Sequence, residues 1–97
     1  MNYRFLTPAL AEIRAAAEFY EKRVSGLGAD FIDELDATVG RIVHFPEAWG
    51  KLGGRYRRCN TRRFPYSIIY LIQSDREIVI VSVFHQSREP DSWRENM

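Results

Sequence analysis

Cysteine is almost absent from this chain of 97 residues, in which Cys59 stands alone. A single thiol cannot form an internal disulfide, and it offers none of the paired Cys or His spacings that structural zinc sites use. No stretch approaches the roughly 20 consecutive apolar residues that a membrane-spanning helix requires. The opening residues also lack the apolar run and small-residue cleavage site of a secretory signal. We therefore expect a cytoplasmic protein that uses no metal or cofactor and contacts no membrane.

Acidic residues are missing from one window of the chain. Residues 1–50 carry five basic and eight acidic side chains, a net charge of −3, whereas residues 51–97 carry nine and five, a net charge of +4. Within residues 51–63 there is no acid and there are six bases, Lys51, Arg55, Arg57, Arg58, Arg62 and Arg63. Such a cluster indicates an anionic partner, which is a nucleic acid, a nucleic-acid enzyme or an acidic peptide. The alternative is a solvated strand edge whose charges block unwanted pairing and bridge to acidic helices.

The first half of the chain predicts a short strand followed by two helices. Residues 3–6 read as the strand, and Thr7 as N-cap with Pro8 at the first helical position predicts a helix start. An apolar stripe with spacings of three and four follows, formed by Leu10, Ile13, Ala17, Tyr20 and Val24. A glycine-containing corner at residues 25–28 leads to a second amphipathic helix, which Pro46 ends. The two helices form an α-hairpin.

The second half predicts a three-stranded antiparallel meander. A turn-rich link at residues 49–54 precedes extended runs at residues 56–61, 66–72 and 78–84, and the polar residues 73–76 fit a four-residue hairpin connection. The last two runs are so continuously apolar that helices must cover at least one of their faces. The tail, residues 85–97, includes a short final helix at residues 90–96. The prediction is an α+β fold in one domain over residues 1–97.

Five short segments in this order resemble the RelE/ParE superfamily of type II toxin–antitoxin systems. They are residues 26–31 (GLGADF), 45–47 (FPE), 56–59 (YRRC), 64–70 (FPYSIIY) and 83–90 (VFHQSREP). The third and last are more similar to the ParE branch than to the RelE branch. The resemblance implies a toxin of the plasmid-stabilisation kind whose partner is a cognate antitoxin. The antitoxin's tail is then expected on the α-hairpin and the sheet edge, with acids meeting the basic window.

The two branches differ in target. A ParE-like toxin inhibits DNA gyrase by binding, whereas a RelE-like toxin cleaves mRNA on the ribosome and needs several convergent cations. Here Arg58 matches one basic position of the ribonucleases, but Asn60 and Ser67 stand where two others are expected, and Trp93 lies near the place of a C-terminal tyrosine. The sequence therefore favours gyrase inhibition, with a ribonuclease and a degenerate, non-toxic interaction module as alternatives. A ribonuclease site would comprise Arg58, His85 and Arg88.

Each candidate side chain also has a structural interpretation. For target or antitoxin binding the candidates are Arg55, Arg57, Arg58, Arg62 and Arg63. His85 suits a general base or a hydrogen-bonded structural histidine, and the latter is favoured. His44 complements the dipole at a helix end, and Cys59 is expected to be a small buried residue. The tryptophans, Trp49 and Trp93, are either interface anchors or core residues.

Overall fold

The elements of the fold follow the predicted order. A computed structural model describes residues 1–88 and 90–97; Glu89, which belongs to the family-like segment 83–90, lies outside the described residues. The elements are strand β1 (Asn2–Phe5), helices α1 (Thr7–Arg23) and α2 (Leu27–His44), strands β2 (Gly50–Gly53), β3 (Tyr56–Asn60), β4 (Tyr66–Ser74) and β5 (Glu77–His85), and a 3-10 helix at Ser92–Asn96. The predicted α+β class, with an N-terminal strand, a helix hairpin and an antiparallel meander, is confirmed.

The sheet has one more strand in its meander than predicted. Its order is β1-β5-β4-β3-β2, so β5, β4 and β3 are interior strands, and β1 runs parallel to β5. The segment assigned to a turn-rich link contains β2, an edge strand that pairs antiparallel with β3. Its glycines have low strand propensity, and this concealed a strand that forms because β3 supplies the hydrogen-bond partners.

The start of α1 differs from the prediction by one residue. Leu6, not Thr7, is the N-cap, and no side chain caps the helix. The Leu6 amide donates to the carbonyl of Ile80 at 2.9 Å, while the Leu6 carbonyl accepts from Leu10 at 3.2 Å. Because Leu6 is tied to β5 on one side and begins the helical bonds on the other, the helix starts directly where the strand ends.

The helix corner depends on Gly26, Gly28 and Glu21. Gly26 adopts a φ of +89°, which favours glycine, and is the N-cap of α2. The Glu21 carboxylate accepts from the amides of Gly26 (2.9 Å) and Gly28 (3.0 Å), two donors that the start of a helix would otherwise leave without partners. A Cβ at Gly28 would lie 2.7 Å from the Ala17 carbonyl oxygen, so the helices pack closely here.

The connection between β4 and β5 is shorter than predicted. Ser74 pairs with Glu77, which leaves only Asp75 and Arg76 between the strands instead of residues 73–76. The prediction ended the strands where the apolar residues end. Polar residues nevertheless continue the hydrogen-bond ladder, because pairing is made by the backbone.

Both faces of the central strands are covered. On one face α1 and α2 pack on residues such as Ile68, Tyr70 and Ile80. The opposite face carries a smaller cluster, which consists of Ile69, Leu71, Val79, Val81, Phe84 and Trp93. Trp93, from the 3-10 helix, is 2% exposed. This double cover explains the continuously apolar sequences of β4 and β5. Within residues 1–88 and 90–97, the structure has no helix long and apolar enough to cross a membrane.

Candidate functional site

The basic window forms two groups at opposite ends of β3. Lys51 on β2, Arg55 in the β2–β3 turn and Arg57 on β3 line a cleft of about 280 Å³. We call it the hairpin cleft; its lining residues are Glu47, Lys51, Gly54, Arg55, Arg57 and Ile72. Arg62 and Arg63 follow the far end of β3 and form a loop group. The hairpin cleft is therefore the place where the structure concentrates cations.

Arg57 is held by the backbone. Its Nη1 donates to the carbonyl oxygens of Glu47 and Trp49, both at 2.9 Å. These bonds tie the α2–β2 loop to β3 and fix the guanidinium. Neither Nε nor Nη2 has a hydrogen-bond partner among residues 1–88 and 90–97. Arg57 therefore has a structural role and retains donors for a ligand.

The loop group meets acidic residues of α2. Arg63 forms an ion pair with Asp30 at 3.6 Å, and its guanidinium lies 5.2 Å from the centre of the Phe64 ring. The backbone amide of Arg62 donates to a Glu34 carboxylate oxygen at 2.9 Å. These contacts match the alternative interpretation, in which part of the cluster bridges to acidic helices.

Arg58 lies on the face of the sheet opposite to Arg57. Its neighbour Cys59 is buried in the helix-side core, whereas Tyr56, two residues before Arg58, packs against Trp93 with ring centroids 4.9 Å apart. Alternation along a strand therefore places Arg58 with Tyr56. The side chain of Arg58 is exposed, and it makes no ion pair with the described residues.

His85 and Arg88 lie together in a second cleft, of about 250 Å³, between α1 and the end of β5. We call it the helix–strand cleft; it is lined by Glu12, Ala15, Ala16, Phe19, Tyr66, Val83, Phe84, His85 and Arg88. His85 Nδ1 accepts from the Ser87 amide at 3.0 Å and lies 2.7 Å from the Ser87 hydroxyl. In the neutral ring Nδ1 is therefore the acceptor and Nε2 carries the proton.

Glu12 organises this cleft, and sequence analysis did not single it out. Its carboxylate accepts from the Val83 amide (3.1 Å), the Ser82 hydroxyl (3.0 Å), Arg88 Nη1 (3.3 Å) and Asn96 Nδ2 (3.1 Å). These donors come from residues 70 or more positions away along the chain. Only the tertiary structure brings them to α1, so no local sequence signal identified Glu12.

The three residues of the proposed ribonuclease site are not brought together. His85 and Arg88 share the helix–strand cleft, but Arg58 lies on the other face of the sheet. Arg88 is already paired with Glu12 at 3.3 Å. At the positions where further cations were expected, the hydroxyl of Ser67 donates to Asn60 Oδ1. This arrangement provides no cluster of cations around one phosphate.

The remaining candidates have structural positions. Burial raises the pKa of the Cys59 thiol, although the nearby Arg41 opposes the shift, and Cys59 is 2% exposed. His44 lies in the last turn of α2. Trp49 Nε1 donates to the Arg41 carbonyl at 3.4 Å from a half-buried position. Cys59 is thus the small buried residue that was predicted.

One of the comparisons with known proteins identifies a family. Residues 3–90 match the family described as "ParE toxin of type II toxin-antitoxin system, parDE". No curated protein matches the chain in sequence. The fold is similar to a chain of the solved chromosomal ParDE TA system from P. aeruginosa, with a TM-score of 0.65 and 15% identity. That match covers 88% of this chain and 95% of the other, and at this identity it concerns the fold alone.

Proposed function

The chain belongs to the ParE toxin family of type II toxin–antitoxin systems, and from this premise we propose that it inhibits DNA gyrase by binding and that a cognate antitoxin neutralises it in the cytoplasm. The observation that carries the choice of target is the separation of Arg58 from His85 and Arg88 by the sheet. A ribonuclease must stabilise a pentacovalent phosphate with several convergent cations and move two protons. An inhibitor that acts by binding needs only a complementary surface.

The helices offer a surface for the antitoxin. Leu10 and Phe19 on α1 and Val24 directly after it are 47%, 48% and 58% exposed, and Ile32 on α2 is 41% exposed. Large apolar side chains that are exposed to water are stabilised when a partner covers them. A partner that lays an amphipathic helix or extended tail along this hairpin would remove them from water. This supports the proposal that the normal state of the toxin is a complex.

The target is tested with purified chain and two reactions in parallel. We expect inhibition of DNA supercoiling by gyrase, or trapping of its cleaved-DNA complex, and intact mRNA on translating ribosomes. The one observation that favours the ribonuclease is the presence of His85, Arg88, Tyr66 and Glu12 around one cleft. Cuts in ribosome-bound mRNA that disappear in His85→Ala would therefore replace gyrase with the ribosome as target. A purified chain that neither inhibits gyrase nor cleaves mRNA would be a degenerate interaction module.

The partner is tested by co-expression with the adjacent reading frame. We expect the two products to copurify, and expression of the toxin alone to arrest growth. A chain that is harmless alone and elutes without its neighbour's product would contradict the toxin–antitoxin proposal.

A further inference from the structure

We propose that the hairpin cleft binds one acidic side chain, an Asp or Glu, of the antitoxin. The proposal rests on the proposed function, because it takes the antitoxin as the partner. The sequence predicted that antitoxin acids contact the basic window as a whole; the proposed site comprises only Lys51, Arg55 and Arg57.

The cations of the hairpin cleft form no ion pair with residues 1–88 and 90–97. Elsewhere Arg4, Arg41, Arg63, Arg88 and Arg94 form ion pairs. Lys51 and Arg55 form none with residues 1–88 and 90–97, and both are exposed. The carboxylate of Glu47, the one acid that lines the cleft, also forms no ion pair within residues 1–88 and 90–97. Three cations and one acid therefore share a concave space with an uncompensated positive charge.

Arg57 makes the cleft a fixed site instead of a diffuse basic surface. Its Nη1 is anchored by the carbonyls of Glu47 and Trp49, while Nε and Nη2 carry N–H groups with no partner in the described residues. These two groups lie on one edge of the planar guanidinium, which is the edge that binds a carboxylate through two parallel bonds. Anchoring removes part of the entropy cost that a flexible arginine would bring to binding.

The distribution of charge favours a protein carboxylate over a nucleic-acid backbone. A polyanion is bound by cations that extend along a face, and nucleic-acid-binding domains are strongly basic overall. This chain has a net charge of +1, and in its loop group Arg63 is paired with Asp30 while the backbone amide of Arg62 donates to Glu34. The hairpin cleft instead places three cations around a space of about 280 Å³, which suits one side chain.

The test uses the full chain and the product of its adjacent reading frame. The variant is Lys51→Glu with Arg55→Glu, which leaves the anchored Arg57 intact. The matched control is Arg76→Glu with Arg94→Glu, which makes the same change in net charge at two exposed cations that lie outside both the hairpin cleft and the two helices. Binding is measured by calorimetry at low and physiological salt, and folding by circular dichroism. Lys51→Gln with Arg55→Gln repeats the test without charge reversal.

We expect the hairpin variant to bind the antitoxin at least about tenfold more weakly and with less dependence on salt, whereas the control changes affinity little. Reversal of one acidic residue of the antitoxin to arginine should restore binding to the hairpin variant. Equal loss in variant and control would overturn the cleft, because the effect would then be net charge. A variant that keeps antitoxin binding but loses affinity for a short DNA duplex would also overturn it, in favour of a phosphate site. No binding by the unaltered chain would instead overturn the proposed function itself.

Discussion

The hydroxyl of Ser67 donates a 2.7 Å hydrogen bond to the side-chain oxygen Oδ1 of Asn60. The two residues are direct partners on β4 and β3, and Ser67 is 1% exposed. They occupy the positions where the ribonuclease branch is expected to carry cations. The bond gives the buried hydroxyl its partner within the sheet, so the position serves the fold and offers no charge to a phosphate.

Ser67→Ala should therefore lower stability without lowering toxicity. Loss of one hydrogen bond between neutral groups costs about 1 kcal/mol, and the exposed amide of Asn60 turns to water. Urea denaturation measures the first effect and a growth assay under induction the second. Loss of toxicity with unchanged stability would mean that the hydroxyl takes part in chemistry.

The Glu12 carboxylate holds the C-terminal segment against the sheet. Glu12→Ala removes the acceptor of the Val83 amide, the Ser82 hydroxyl and Arg88, and leaves Asn96 with only its bond to the Val81 carbonyl. Because hydrogen bonds to a charged group are the strong ones and several are lost together, we expect a loss of about 2–4 kcal/mol in the free energy of unfolding. Glu12→Gln keeps an acceptor oxygen and should cost about half as much.

Glu18→Ala is the control for Glu12, since Glu18 lies exposed on the same helix. We expect its denaturation midpoint to stay near that of the unaltered chain. The Trp93 fluorescence should report early release of the C-terminal segment in Glu12→Ala only. Equal midpoints for the two alanine variants would show that the contacts of Glu12 do not stabilise the fold.

Two helical glycines offer a matched pair. A Cβ at Gly28 would lie 2.7 Å from the Ala17 carbonyl, a backbone atom that cannot move without separating α1 from α2, whereas nothing lies within 4 Å of a Cβ at Gly40. We expect Gly28→Ala to lose about 1–3 kcal/mol through overpacking and Gly40→Ala to gain about 0.5–1 kcal/mol from better helix propensity. Thermal melts of both variants give the comparison. Stabilisation by both substitutions would mean that the helices are not closely packed at Gly28.

Local sequence patterns correctly predicted the elements with a regular pattern of buried residues. The apolar runs of β4 and β5 identified interior strands, and the spacing of apolar residues identified both helices. The strand β2 was missed because glycines dominate it and its pairing depends on β3, a contact that no local window contains. The one-residue error at Thr7 has the same origin, since the bond of Leu6 to Ile80 decides where α1 begins.

The candidate site was predictable only in composition. The sequence shows the cluster of bases at residues 51–63, but it does not show which of them line the hairpin cleft. That division depends on strand alternation, which places Arg57 and Arg58 on opposite faces, and on Asp30 of α2, which pairs with Arg63. The hydrogen bonds of Arg57 to backbone carbonyls could not be predicted, because every residue type carries a backbone carbonyl. The carboxylates of Glu12 and Glu21 accept hydrogen bonds from groups that only the fold brings to them, so a helical pattern presents both residues as ordinary exposed acids.

Tyr70 should make stability fall at alkaline pH. Its hydroxyl donates to the Pro46 carbonyl, and burial is the main cause that raises its pKa from 10.0 to about 12. The folded protein therefore favours the neutral phenol. The resulting stability is fully present below pH 10.0, the pKa in the unfolded chain, and is lost as pH rises through about 12 in the folded one.

Tyr70→Phe should be less stable at neutral pH, because it lacks the hydrogen bond, but it should lose less stability between pH 10.0 and about 12. Urea denaturation of both proteins across that range measures the gap. The contributions of Tyr20 and Tyr66 are common to both proteins and cancel in the difference. A gap that stays constant with pH would show that Tyr70 ionises as readily in the folded protein as in the unfolded chain.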